Sequence, residues 1–115
     1  SEASDSTAVL DLLGDEYARA ILLAASTERL SAKRLSEMCG VDVSTVYRRV
    51  EELLDTGLLE EDTRLVPDGS HYSVYGAPVT RIVVDINDGT FDVRLGIDDS
   101  ASARFSRMWG EMRDR

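Results

Sequence analysis

The stretch from Ser31 to Gly57 constrains the fold of this chain more than any other. Ser31 caps a short helix over residues 32–39, and Gly40 stands where that helix ends and the chain turns away. Such a position favours a residue that tolerates positive φ. After Gly40-Val41-Asp42-Val43 a second helix covers residues 44–56 and stops at Gly57. Leu35 and Met38 on the first helix, Val41 in the turn, and Val46, Val50, Leu53 and Leu54 on the second are placed to be buried together. Packing of this kind locks two helices at a steep angle and leaves the opposite face of the second one free.

The flanking residues complete an α+β layout. Ser6 or Thr7 caps a short helix carrying Val9, Leu10, Leu12 and Leu13, which Gly14 stops. Asp15 caps the next, residues 16 to about 26, with Ala18, Ile21, Leu22 and Ala25 on a core-facing stripe. Beyond Gly57 the apolar period changes to two. Residues 58–65 and 70–75 read as strands joined through Pro67-Asp68-Gly69. Residues 79–86 and 90–95 form a second hairpin about Asn87-Asp88-Gly89, with Ile82, Val84 and Ile86 on one face and Phe91, Val93 and Leu95 sharing a face of the partner strand. A last helix, capped between Asp98 and Ser100, reaches about Met112. No repeat or linker divides the chain, so residues 6–95 are expected to form one domain and residues 98–115 a terminal amphipathic helix.

Composition excludes several functions. With 115 residues the chain has room for one core, and 43% hydrophobic residues make it globular rather than a disordered acidic tail. Cys39 and His71 are the only residues of their kinds, which excludes an intrachain disulfide and a closed structural zinc shell. No apolar run reaches the ~20 residues needed to span a bilayer, and the N-terminus lacks a basic and apolar leader, so a cytoplasmic location is expected. No Ser/His/Asp set, phosphate loop or metal cluster is present; neither an enzyme nor a cofactor is expected. The formal net charge is -9, and all but one of the 13 basic residues are arginine, Lys33 being the exception. A carboxylate-rich, lysine-poor surface suits very high salt, where the Debye length falls to ~3 Å at 1 M and crowded carboxylates repel little. An ordinary acidic domain is the alternative.

Two short helices joined by a tight turn and followed by a hairpin make a winged helix-turn-helix. The free face of its second helix carries Ser44, Thr45, Tyr47, Arg48 and Arg49. Short hydroxyls enter a major groove without clash, arginine forks match a guanine edge or a phosphate, and Tyr47 can reach a phosphate or a thymine methyl. Arg64, Ser70 and His71 flank the tip of the hairpin, within reach of the backbone or minor groove. Ser31 and Lys33 stand at a helix start whose free N–H groups suit a phosphate. Residues 28–50 hold Arg29, Lys33, Arg34, Arg48 and Arg49 against Glu28, Glu37 and Asp42, a local net of +2 that leaves -11 on the rest of the chain. Arg48 can equally pair with Glu52 across a solvated face, and Arg49 can be a solubilising charge.

Residues 30–53, Leu-Ser-Ala-Lys-Arg-Leu-Ser-Glu-Met-Cys-Gly-Val-Asp-Val-Ser-Thr-Val-Tyr-Arg-Arg-Val-Glu-Glu-Leu, resemble the helix-turn-helix of archaeal ArsR/PadR-like winged-helix regulators. Residues 12–22 and 67–72 are similar to haloarchaeal members, among which are regulators of the response to reactive oxygen species. The resemblance implies a homodimeric cytoplasmic transcription regulator binding promoter DNA, pseudo-palindromic because the dimer is two-fold. The metal sensors of the family carry a Cys-x-Cys pair on the second helix; Tyr47-Arg48-Arg49-Val50 stands here instead, so no metal is expected there.

Ala101, Phe105, Met108, Trp109 and Met112 form one apolar stripe on the last helix. It either caps its own core or pairs with its copy as the dimer interface (Phe105, Met108, Trp109, Met112), the arrangement two-fold half-sites require. A winged helix can also serve as a protein-docking module in a transcription assembly, which would make Arg48 and Arg49 dispensable for DNA.

Overall fold

The computed structural model describes residues 3–97. Four helices come first: α1 (Ala3–Leu13), α2 (Glu16–Ala25), α3 (Ala32–Cys39) and α4 (Val43–Asp55). Two antiparallel hairpins follow, β1 (Glu60–Leu65) with β2 (His71–Gly76) and β3 (Val79–Asn87) with β4 (Thr90–Ile97). The layout is α+β, a helix-turn-helix with a wing and an added hairpin. The expected terminal helix, with Phe105, Met108, Trp109 and Met112, lies outside the described residues.

Local chemistry explains the helix ends. Asp15 accepts from the N–H of Ala18 at 2.8 Å to start α2, and Ser31 accepts from that of Arg34 at 3.2 Å to start α3. Gly40 closes α3 in the left-handed region at φ 66, where a Cβ would be strained. The chain then turns through Val41 into α4, and the side chain of Ser36 donates to the Val41 carbonyl to hold that turn.

One core joins all of this. Ile21 of α2, Leu35 of α3, Val46 and Leu53 of α4, Leu58, and Val9 and Val93 from the flanking elements are almost wholly buried in it. The wing is fixed at its base, where Leu30 and Tyr75 exchange both backbone hydrogen bonds at 2.8 and 3.0 Å. At the other hairpin, Asp88 and Gly89 both take positive φ, the pairing that the two-residue turn opposite Asn87 and Thr90 needs.

The structure corrects the sequence reading at four places. Ser6 does not cap α1 but lies within it, 2% exposed, and its hydroxyl accepts from the N–H of Val93 at 3.1 Å. Met38 is exposed rather than buried, since Leu35 and Ala32 fill the inner face of α3. The first strand begins at Glu60, because the N–H groups of Leu58 and Leu59 both bond back to the Leu53 carbonyl and their side chains enter the core. Helix α4 starts one residue earlier, at Val43.

The Ser6 contact spans the sequence and joins α1 to β4 by a side-chain hydrogen bond. Replacing Ser6 with Ala removes that bond, a loss of about 1 kcal/mol. Urea denaturation of Ser6→Ala should register that loss; an unchanged midpoint would show that the bond contributes no net stability.

Candidate nucleic-acid interface

Helical geometry separates the residues of α4. Successive side chains turn by about 100°, and Val46, Val50 and Leu53 are buried. Arg48 therefore points away from the core; it is exposed and has no ion pair among the described residues. Tyr47, 56% exposed, flanks it. Arg49 falls on the other flank, toward α2. Its Nε donates to Asp15 Oδ2 at 2.9 Å and its Nη2 to Oδ1 at 3.3 Å, with Glu52 at 3.5 Å. The expectation that Arg48 and Arg49 act as a pair on one free face is thus corrected: Arg49 fastens α4 to the start of α2.

Asp15 is held below its ordinary carboxylate range, first by the Arg49 hydrogen bond and then by the N–H of Ala18, while the same contact raises the Arg49 guanidinium. One carboxylate caps α2 and anchors α4.

At the leading end of α4, Ser44 and Thr45 both donate to the Asp42 carboxylate, at 2.5 and 2.7 Å. These bonds pull the Asp42 carboxyl below its usual range. The hydroxyl protons are committed, but their lone pairs remain open. As acceptors they suit the exocyclic amino groups that adenine and cytosine present in a major groove.

Beside α4, a cleft of about 550 Å³ opens between α3, α4 and β2, lined by Ser31, Lys33, Tyr47, Tyr72, Ser73 and Tyr75. It brings three of the expected residues together with two tyrosines and a serine from the wing. The start of α3 and the Lys33 ammonium on one side, and hydroxyls on the other, form a polar rim suited to an anion. Tyr72 and Ser73 were missed by the sequence reading. The available signal was an exposed aromatic in a strand that also carries the buried anchor Tyr75.

The wing sorts its own residues by register. Arg64 pairs with Tyr72 and Leu65 with His71, so Arg64 and His71 occupy opposite faces of the ribbon rather than one edge. Ser70 is bonded through its N–H and hydroxyl to Asp68 and shapes the turn, where Gly69 takes φ 93. Of the cations on α3, α4 and the wing, Arg34 is bound to Glu37 and Arg49 to Asp15, whereas Lys33, Arg48 and Arg64 have no carboxylate partner among the described residues.

Residues 13–62 match the family model of a helix-turn-helix domain. The match begins at the last residue of α1 and runs through α2, α3 and α4 into β1. Over those residues the fold is that of a helix-turn-helix, to which the chain is similar. No curated protein matches the chain. No described helix is long and apolar enough to cross a membrane.

The anchor at Asp15 carries a pH dependence. Its folded pKa is lowered, so the stability it contributes is complete above the unfolded value of about 3.9 and is lost as pH falls through the folded one. Asp15→Ala should cost about 1–2 kcal/mol near neutrality, through the lost cap and ion pair. The difference from wild type should narrow as denaturation curves are taken below about pH 4; a difference constant with pH would assign the effect to packing alone.

Proposed function

We propose that this protein is a sequence-specific, double-stranded DNA-binding transcription regulator acting as a homodimer in a salt-rich cytoplasm. Helix α4 enters the major groove with Ser44, Thr45, Tyr47 and Arg48 toward the bases. Lys33 and Ser31 meet the backbone, and the wing lays Arg64, with Ser70 and His71 near its turn, on the flanking backbone or minor groove. The observation that carries the reading is that Lys33, Arg48 and Arg64, on the helix-turn-helix and wing of a chain whose net charge is -9, have no carboxylate partner among the described residues. The dimer reading rests on the apolar stripe of residues 101–112 and on the two-fold symmetry of half-sites.

High salt changes what holds the complex. Counterion release weakens binding by about 0.9 decades per phosphate contact for each decade of salt. Six contacts would then lose about seven decades between 0.2 and 4 M. Binding in such salt rests on shape, base-edge hydrogen bonds and dry contact, with cations between carboxylates and phosphates. The resemblance to regulators of the oxidative-stress response suggests the signal. Cys39 is a poor direct sensor, because burial pushes its thiol up and keeps it protonated, so the signal arrives by another route.

Fragmented genomic DNA from the source, bound in about 2 M KCl and sequenced, tests the reading. Wild type should recover a discrete pseudo-palindromic site. Arg48→Ala should lose it, with about tenfold or greater weakening. Arg49→Ala should lower stability yet keep the site preference while folded. No enriched site with folded protein would move the assignment to a protein-docking winged helix.

A further inference from the structure

Helix α4 opens on an apolar side chain that the fold does not use. Val43, its first residue, is 45% exposed and takes no part in the core. Helix formation does not ask for it either. A β-branched residue is a weaker helix former than alanine, and the positive end of a helix favours a carboxylate. The two helices that follow an aspartate differ in this respect: Asp15 is followed by Glu16 at the start of α2, whereas Asp42 is followed by Val43, and the first turn of α4 holds no acidic residue. The Asp42 carboxylate itself is occupied by the hydroxyls of Ser44 and Thr45.

One turn along, Tyr47 is 56% exposed. Side chains four apart on a helix are neighbours, with about 5–6 Å between their Cβ atoms, so Val43 and Tyr47 make one small apolar patch. At about 100° per residue from the buried stripe of Val46, Val50 and Leu53, the patch lies on the flank opposite Arg49, and Ser44 and Arg48 lie beside it on the outer face. Farther along, that outer face carries Glu51, Glu52 and Asp55, all exposed. Phosphates repel these carboxylates, so the first two turns of α4 are the part that suits a groove.

We infer that Val43, together with Tyr47, reads the C5-methyl group of a thymine in the major groove, an inference that rests on the DNA-binding reading above. The methyl is the apolar feature that base edges present there. Valine neither donates nor accepts a hydrogen bond, so against a phosphate or a polar base edge it only displaces water; against the methyl it gains apolar burial. Ser44 and Arg48 leave the hydrogen bonding of adjoining bases to polar groups, and Val43 adds a contact they cannot make. Such a contact carries no charge and escapes the screening of strong salt.

The site recovered by wild type from genomic DNA, remade with each thymine in turn replaced by deoxyuridine, isolates the methyl, because uracil keeps the hydrogen-bonding groups of thymine. In concentrated KCl, wild type should bind about fourfold more weakly when the methyl that Val43 covers is removed, the loss expected for one buried methyl. Val43→Ala should bind the thymine site more weakly and be indifferent to deoxyuridine at that position, a coupling that a merely structural role for Val43 does not produce. Alanine is the better helix former, so the variant keeps its fold, which circular dichroism checks. A site without thymine, a wild type indifferent to every deoxyuridine, or equal weakening of wild type and Val43→Ala overturns the inference and leaves the DNA-binding reading standing. Failure of the folded wild type to recover any site overturns both.

Discussion

The burial of Val46, Val50 and Leu53 against Ile21 and Leu35 sets the direction of every other side chain on α4. A helix pinned along one stripe has no rotational freedom left, so the roles of its remaining positions follow from the turn of about 100° per residue. Arg48 faces away from the core because Val46 and Val50 face into it. Arg49, one residue later, lies near enough to the core edge to reach Asp15 on α2. The ion pair then works with the packing: it joins the cap of one helix to the flank of another, 34 residues away. Loss of apolar packing would free α4 to rotate and erase the distinction between the two arginines.

That distinction is legible in the sequence, because the spacing that buries Val46, Val50 and Leu53 also sets Arg48 and Arg49 on different flanks of α4. The helices, their Asp15 and Ser31 caps, the Gly40 turn and both hairpins were legible because each rests on local chemistry. Ser6 was not. A serine near a helix start is ordinarily a cap, and only the arrival of β4 at Val93 makes its hydroxyl an inward acceptor. Met38 shows the same limit. Its spacing from Leu35 suits burial, but α3 is short and Leu35 with Ala32 already fills its contact. The cleft beside Tyr72 and Ser73 depends on how the wing folds back on α3, which no local pattern encodes.

The pairing of charges also reconciles an acidic chain with a polyanionic partner. Arg29 is bound to Glu60, Arg34 to Glu37, Arg49 to Asp15 and Arg94 to Asp85, so most of these arginines serve internal geometry. Such exposed or half-exposed pairs contribute little stability each. Their greater effect is selective: they cancel positive charge at those four positions. Lys33, Arg48 and Arg64, like Arg19 and Arg81, have no carboxylate partner among the described residues. In strong salt, where long-range attraction is screened, a cation acts only at contact distance, and the placement of a few free cations matters more than the total.

The two hairpins show how similar local chemistry reaches different ends. In β1, Glu-Glu-Asp-Thr-Arg-Leu is exposed at all six positions, and in β2 burial is confined to Val74, Tyr75 and Gly76 at the base of the wing, which Leu30, Tyr75 and the Arg29–Glu60 pair hold. Beyond that base the ribbon projects its polar groups outward. In β3, Ile82, Val84 and Ile86 alternate with Arg81, Val83 and Asp85. The hairpin must therefore cover one face, and α1 covers only the end near Val93. The polar ribbon and the half-covered apolar one beside α1 thus follow from the alternation of residue types along each strand, which separates an exposed polar surface from a partly open apolar one.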